Sequence, residues 1–436
     1  MAAMRRFLSV LALVLLSGCA GRGSSDPCLA EFARADAVIA QAGVRDGEAR
    51  RVPGHRHLVT DRFLASFAQA DMAPDARLAW VGRLRAGDTA ARTREAARLS
   101  VADHARLPEG LKACGDALAE AQARDNAAFD RLRRSVDVPS EYDDLARAAG
   151  AFPLSALALA ATRPDDPVPV SQGRTRDFGL ATPPAPDRAA RLAALPRDAL
   201  GIPVLDETST RALLADFAPV FRVEGGQAPG MPVAGVPPDV DVSRPTLFGR
   251  IAFTRMGPDI LIQPVYTLWF AGADGIPVQI LWRTTLDRRG RPIVYDAIDG
   301  TGGNHRFSPV PPAIRQIVPE DADLRDEPVV AGVGPSPGPA ERLVVRLAPG
   351  GIAVTAVGAE IPGDVGPLEL AGFDQLAPLY AADGTVPGTG RPGAWWRWVT
   401  GLDARARIRA WGRHGTARIG QRHFDDPWLI QRVIQP

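Results

Sequence analysis

Apolar and polar residues alternate most regularly between Thr246 and Phe307. Leu247, Gly249, Ile251 and Phe253 alternate with Arg250, Ala252 and Thr254, the period of two expected of a half-buried strand. Ile260 to Phe270 follows, interrupted by Pro264, which lacks the N–H a ladder needs and is therefore predicted at an edge or bulge. From Val278 to Leu286, Ile280, Trp282, Thr284 and Leu286 share one face, and Gln279, Leu281, Arg283 and Thr285 the other. Asp287-Arg288-Arg289-Gly290-Arg291 then supplies a turn, with Gly290 free to take positive φ, and Ile293 to Ile298 returns as the partner strand. The pattern predicts an antiparallel meander of about four strands.

Between Asp26 and Thr162 the pattern is helical throughout. Asp26 caps a first helix with Pro27 in its first turn, Asp61-Arg62-Phe63-Leu64 opens a second and Pro74-Asp75 a third. Thr89 to His104 and Pro108 to Val136 supply longer helices, and Tyr142 to Ala161 a last one interrupted at Pro153. Arg163 to Arg197, rich in Pro, Asp, Arg and Ala, marks a junction. Beyond it come a capped helix at Asp206 to Phe217 and a hairpin of Arg342 to Leu347 with Ile352 to Val357. A final helix at Asp403 to Arg422 is weakened by Gly412, Gly415 and Gly420. The predicted class is α+β: a helical domain over 27–165, a linker over 166–204, and a mainly antiparallel β domain over 205–436 with a C-terminal helix.

The first residues carry no fold information. Arg5 and Arg6 precede an apolar run from Phe7 to Leu16, as in a secretory signal. That run is too short to cross a bilayer of roughly 30 Å at about 1.5 Å per residue. Leu16-Ser17-Gly18-Cys19 resembles the lipobox of bacterial lipoproteins. The resemblance implies that Cys19 is acylated at the N-terminus of the mature protein, and Ala20 after it implies retention at the outer membrane. Residues 20–26 read as a flexible tether. With Cys19 lipidated, Cys28 and Cys114 remain, each on an apolar helix face, and an oxidising periplasm favours a disulfide between them over two buried thiols.

Composition removes several functions. Lys+Arg 51 against Asp+Glu 50 leaves no basic footprint for nucleic acid. Lys112 is the only lysine and has no glycine frame, which excludes a Walker loop and a Schiff-base mechanism. Gly334-Pro335-Ser336-Pro337-Gly338 fits a nucleophile elbow in letters only, because prolines flank Ser336. Gly388-Thr389-Gly390-Arg391-Pro392-Gly393 lacks the βαβ unit a dinucleotide fingerprint needs. Trp395, Trp396 and Trp398 could stack on sugars or pack in a core.

The candidate chemistry lies after the fourth strand. Asp296, Asp299 and His305 fall within ten residues that also hold glycines 300, 302 and 303, a composition shared by active sites and ordinary polar loops. His414 and His423 could join them, although nine residues at about 100° each put them on opposite sides of a continuous helix. A carboxylate and a histidine there, with or without a metal, would activate water. The metal is left open. His55 and His57 share one face of an extended segment, but one pair falls short of the three or four ligands zinc takes.

Trp282 to Asp287, Gly290-Arg291-Pro292, Tyr295 to Ile298, His305, Trp411 to His414 and Arg422 to Pro427 together resemble uncharacterised proteobacterial lipoproteins and hypothetical proteins. The resemblance covers most of the mature chain, including Asp61 to Leu64, and implies no activity. That family's loop often carries Cys-Gly-Cys before the histidine and a second histidine at its start. Thr301, Gly302 and Gly303 stand at the former positions here and Asp299 at the latter, so thiol chemistry in relatives would not extend to this chain.

The expectation is an outer-membrane lipoprotein on the periplasmic face, held by its lipid, without cofactor, acting by binding or envelope assembly. Its partner would be an envelope protein or glycan that the sequence does not identify. The alternative is an envelope hydrolase built on Asp296, Asp299 and His305 with His414 or His423.

Overall fold

The computed structural model describes residues 26–142, 144–149, 173–315, 329–330, 332–338, 340–390, 407–417 and 420–435. Cys19, the tryptophans at 395, 396 and 398, most of Tyr142 to Ala161 and the second half of Gly388 to Gly393 lie outside them.

Among the described residues the N-terminal part holds helices α1 (Pro27–Ala42), α2 (Arg62–Ala65), α3 (Pro74–Ala96), α4 (Leu111–Arg124) and α5 (Asn126–Ser135), with shorter helical segments at Val101–His104 and Asp144–Ala149. Asp26 caps α1 by accepting from Cys28 N–H at 2.9 Å, and Gly43 at φ 69° ends it. The helix starting at Pro74 runs unbroken for 23 residues through Thr89 to Ala96, and the predicted Thr89–His104 helix is broken there, its end forming a separate short helix at Val101–His104 capped by Ser100. The stretch predicted as continuous from Pro108 to Val136 is cut at Asp125, whose carboxylate caps α5 through Ala128 N–H at 2.6 Å. The prediction of helix throughout also fails at β1 (Arg50–Val52) and β2 (His55–Thr60), an antiparallel hairpin. Val52 and Leu58 from it join Trp80, Leu84 and Phe129 in this part's core.

The disulfide links Cys28 on α1 to Cys114 on α4, with Cα atoms 5.2 Å apart and 86 residues between them in sequence. Closing a loop of that length stabilises by about 4–5 kcal/mol in the chain-entropy model. Beside the apolar core, buried Asp88 and Glu95 on α3 are paired with Arg51, Arg85 and Arg92.

The predicted linker is partly sheet. Thr175–Gly179 forms β3, paired antiparallel with β4 (Val220–Glu224), which follows helix α6 (Glu207–Phe217). After a small hairpin of β5 (Met231–Val233) and β6 (Asp239–Asp241) comes the meander: β7 (Thr246–Met256), β8 (Asp259–Phe270), β9 (Val278–Leu286) and β10 (Pro292–Asp299). Gly290, at φ 75°, makes the β9–β10 turn as expected. The meander is extended by β11 (Arg306–Pro309), and β12 (Ile314–Arg315) follows in the chain. The remaining strands are β13 (Val329–Val330), β14 (Arg342–Leu347), β15 (Val354–Glu360), β16 (Val365–Pro367) and β17 (Glu369–Gly372). The chain closes with helix α7 (Leu429–Val433) and β18 (Ile434–Gln435), the latter paired with β12.

One sheet has the order β13-β11-β10-β9-β8-β7-β17, and a second β15-β14-β4-β3-β16. They face each other across a core that includes Tyr266, Trp282 and Tyr295 from the first and Phe178, Phe221 and Val345 from the second. The outer face of the larger sheet is covered too, where Phe248, Val265 and Trp269 meet Phe373, Leu376 and Ile408. β8 and β9 are therefore buried on both faces, while the middle of β7, from Arg250 to Phe253, stays partly buried, as its period-two pattern predicts.

Pro264 sits in central strand β8, not at an edge. Opposite Ile251 it needs no N–H, and on the β9 side the ladder is interrupted between Ile262 and Val265, where Gln263 Nε2 donates to Thr285 Oγ1 at 2.9 Å. The helix predicted at Asp403 to Arg422 is also absent from the described residues. Residues 407–417 and 420–422 form loops with an antiparallel bridge of Gly415 to His423, and Gly412 and Gly420 take φ of 77° and 80°. The C-terminal helix is α7, further along.

Candidate functional site

Alternation along the meander turns Arg283, Asp296 and Phe307 to one face, because Asp296 stands opposite Arg283 of β9 and Phe307 of β11. Arg283 grips Asp296 with both prongs, Nε to Oδ1 at 2.9 Å and Nη2 to Oδ2 at 2.6 Å. Its Nη1 donates to the Phe424 carbonyl, and its guanidinium lies 3.9 Å from the centre of the Phe424 ring. His305 adds a third contact, Nε2 to Asp296 Oδ2 at 3.0 Å. Hydrogen-bonded to a carboxylate there, Nε2 carries the proton, and Nδ1 has no partner among the described residues.

Burial alone would raise the Asp296 pKa, but Arg283 and the His305 hydrogen bond outweigh it and hold the carboxyl below its usual range. Burial pushes His305 down to about 4 despite the adjoining carboxylate, so the imidazole is neutral at pH 7.

Asp299 takes no part in this cluster. Its Oδ1 accepts from Thr301 N–H, Thr301 Oγ1 and Gly303 N–H, and its Oδ2 from Asn304, which folds the loop on itself. The C-terminal histidines reach the same region through Phe424. The ring of His414 lies 6.5 Å and that of His305 5.4 Å from Phe424, centre to centre. His423 Nε2 accepts from Glu141 N–H at 3.1 Å, with Tyr142 edge-on at 5.3 Å. Burial lowers both to about 3. Among the described residues no group of three or more His, Cys, Asp and Glu is arranged to hold a metal. His55 is bonded to Gln122 at 2.9 Å, and the ring of His57 is buried 6.3 Å from it.

Asp296, with 0% of its side chain exposed, and Arg283 and His305, with 1% each, reach no solvent. Nor does a hydroxyl or thiol of the described residues bond to His305 Nδ1. Sealed in this way, the cluster offers a substrate no approach in this structure. What it does is clamp the loop at Phe424 onto the sheet. Residues on either side of Phe424 extend the clamp to the helical part, where Arg62 pairs with Asp425 at 3.0 Å and Tyr142 Oη donates to the Arg422 carbonyl at 2.8 Å.

Close main-chain packing sets the loop's register. Gly302 has φ 91°, and a Cβ there would lie 2.3 Å from the Gly415 carbonyl oxygen. Gly257, at φ 57°, faces open space. Gly257→Ala should lose only the backbone term, roughly 1–3 kcal/mol. Gly302→Ala should lose clearly more in urea unfolding, and equal losses would refute the packing argument.

Open space lies elsewhere, in a cleft of about 780 Å³ where α3, the approach to α6, the middle of β7 and residues 370–377 meet. Leu205, Leu214, Ile251 and Leu370 line it beside four arginines, 83, 94, 211 and 250, and three carboxylates, Glu48, Glu207 and Asp374. Asp198 holds Arg83 and Asp46 holds Arg94, each at 2.6 Å, and Glu48 holds Arg250 at 3.2 Å. Arg211 is exposed and has no ion pair among the described residues. Sequence reasoning missed both Arg283 and this cleft. The signal for Arg283 was a charge within a strand rich in apolar residues, legible only once the β9–β10 register is known, while the cleft draws on residues from Glu48 to Ala377. No family model, no curated protein and no solved structure matches this chain.

Proposed function

We propose that this protein is an envelope lipoprotein, held by an acyl anchor at Cys19 on the periplasmic face of the outer membrane, that works by binding a ligand in the cleft between its helical and β parts. The cleft carries the reading: it has the size of a ligand site and sets apolar side chains beside charged groups of both signs, whereas the histidine cluster is closed to solvent. The lipobox-like Leu16 to Cys19 and the Cys28–Cys114 disulfide, which suits an oxidising compartment, support the location. No described helix is long and apolar enough to cross a membrane.

Two measurements test the two halves. Cys19→Ser should move the protein from the membrane to the soluble fraction and abolish palmitate labelling, and a labelled variant would refute the anchor. Peptides, oligosaccharides and small anions screened by thermal shift should give one stabilising class whose effect disappears in Thr210→Trp, a substitution that fills the cleft from α6. Stabilisation that survives Thr210→Trp, or no stabilisation by any class, would refute the cleft as the site.

A further inference from the structure

Residues 409–417 and 420–427 lie between the larger sheet and the helical part, and the two sides hold them differently. On the sheet side, Arg409 N–H donates to the Gly300 carbonyl at 2.9 Å, Thr254 Oγ1 donates to the Pro427 carbonyl at 2.8 Å, and the Gly415 carbonyl abuts Gly302. On the helical side the donors are mostly side chains. Arg50 Nη2 and Arg62 Nη1 donate to the Gly412 carbonyl at 2.7 and 2.9 Å, Tyr142 Oη to the Arg422 carbonyl at 2.8 Å, and Arg147 Nη1 to the Gly420 carbonyl at 2.9 Å. Here one main-chain donor, Glu141 N–H, meets a titratable acceptor, His423 Nε2, at 3.1 Å.

That bond exists only while Nε2 carries no proton, because a protonated ring presents an N–H to an N–H. The new cation would also arrive among cations. Arg62 from α2, Arg50 from β1 and Arg409 from the loop act on the ring, and Arg147 stacks on Tyr142, whose edge meets it at 5.3 Å. The carboxylates close by are already engaged: Glu141 by Arg50 and Arg413, Asp425 by Arg62 at 3.0 Å, and Asp144 by the Gln421 amide. Asp425 attracts the proton but is outweighed, since burial and then Arg62 push His423 down to about 3. We propose that the His423–Glu141 contact is a proton-operated latch: a proton on His423 releases residues 139–142 and 144–149 from the C-terminal loop while both sheets stay folded. Such protonation of a histidine at an interface is a local charge change with a structural readout.

Once released, the ring titrates near its ordinary value of about 6.5. The closed state refuses the proton and the open state takes it, so the opening equilibrium rises by about tenfold from pH 7.5 to pH 5.5. His57, His305 and His414 keep their surroundings in this step, which separates it from unfolding, where those rings are exposed as well.

Hydrogen exchange of the full-length protein in detergent, read by mass spectrometry at both pH values and corrected for the intrinsic pH dependence of amide exchange, tests the latch. Residues 139–142 and 420–425 should be less protected than β8 to β10 at either pH and should lose about tenfold in protection at pH 5.5. His423→Gln keeps a neutral acceptor for Glu141 N–H, and there the protection of these residues should not change with pH, whereas in His305→Gln the tenfold change should remain. Wild-type segments that open only together with the sheet, or whose protection is the same at both pH values, would overturn the latch even where a variant fails to fold. So would a tenfold change that persists in His423→Gln.

Discussion

Acidification from pH 7 to pH 5 should destabilise this protein by several kcal/mol through its buried histidines. Burial, with Arg422 and Arg283 near His305, Arg409 near His414 and Arg62 and Arg50 near His423, keeps these imidazoles neutral when folded. His57 is likewise held at about 4 by burial and by His55. Unfolded, each titrates near its ordinary value of about 6.5. The folded values are depressed, so below that pH the unfolded chain binds protons the folded one refuses, and stability falls as pH falls. The loss begins near pH 6.5 and continues down to about 4 for His57 and His305 and about 3 for His414 and His423. Each imidazole contributes about 1.4 kcal/mol per pH unit inside its window. Asp296 and Asp425 restrain the loss by attracting the proton on His305 and on the two C-terminal histidines. Urea midpoints at pH 7, 6 and 5 check this, and His414→Phe should flatten the profile. A midpoint constant across that range would refute the neutral buried histidines.

Arg283→Met should cost about 3–5 kcal/mol, because it leaves the Asp296 charge buried with only His305 beside it. The same change frees the Phe424 carbonyl, and faster hydrogen exchange should appear first across residues 409–417 and 420–425, which the clamp holds against the sheet. Arg283→Met combined with Asp296→Leu removes both charges and should recover much of the loss, since an apolar pair of similar volume is often no less stable than a buried ion pair. Urea unfolding of the single and double variants decides the matter. A single variant that loses less than about 1 kcal/mol would mean the pair is not the clamp, since breaking a buried pair costs several times that.

Seen from these two results, the Asp296–His305 loop was legible as a cluster but not as a mechanism. Nine residues apart, the two groups meet because the glycine-rich turn folds β11 back antiparallel on β10. Whether such a pair faces water or is sealed depends on Phe424, which sits 141 residues from its hydrogen-bond partner Arg283. Asp299, equally suggestive in sequence, is consumed by its own turn, as the preference of Asp for bonding nearby N–H groups allows.

The sequence by itself determined whatever rests on local periodicity and local chemistry. The strands of the meander, the Gly290 turn, the β14–β15 hairpin and the cap at Asp26 follow from residues within a few positions of each other. The Cys28–Cys114 pairing followed from reading Cys19 as a lipidation site, which left two cysteines on apolar helix faces. Tertiary structure decided the rest. Pro264 is tolerated in a central strand because its missing N–H falls where Gln263 and Thr285 bridge by side chains. Arg50–Thr60 becomes a hairpin because Val52 and Leu58 complete the core around Trp80, a gain no helix propensity records. Thr175–Gly179 leaves the apparent linker because β4 needs a partner. Along its outer edge β7 meets β17 from Thr246 to Gly249 and the Pro427 carbonyl at Arg255, contacts made by segments more than a hundred residues away in sequence.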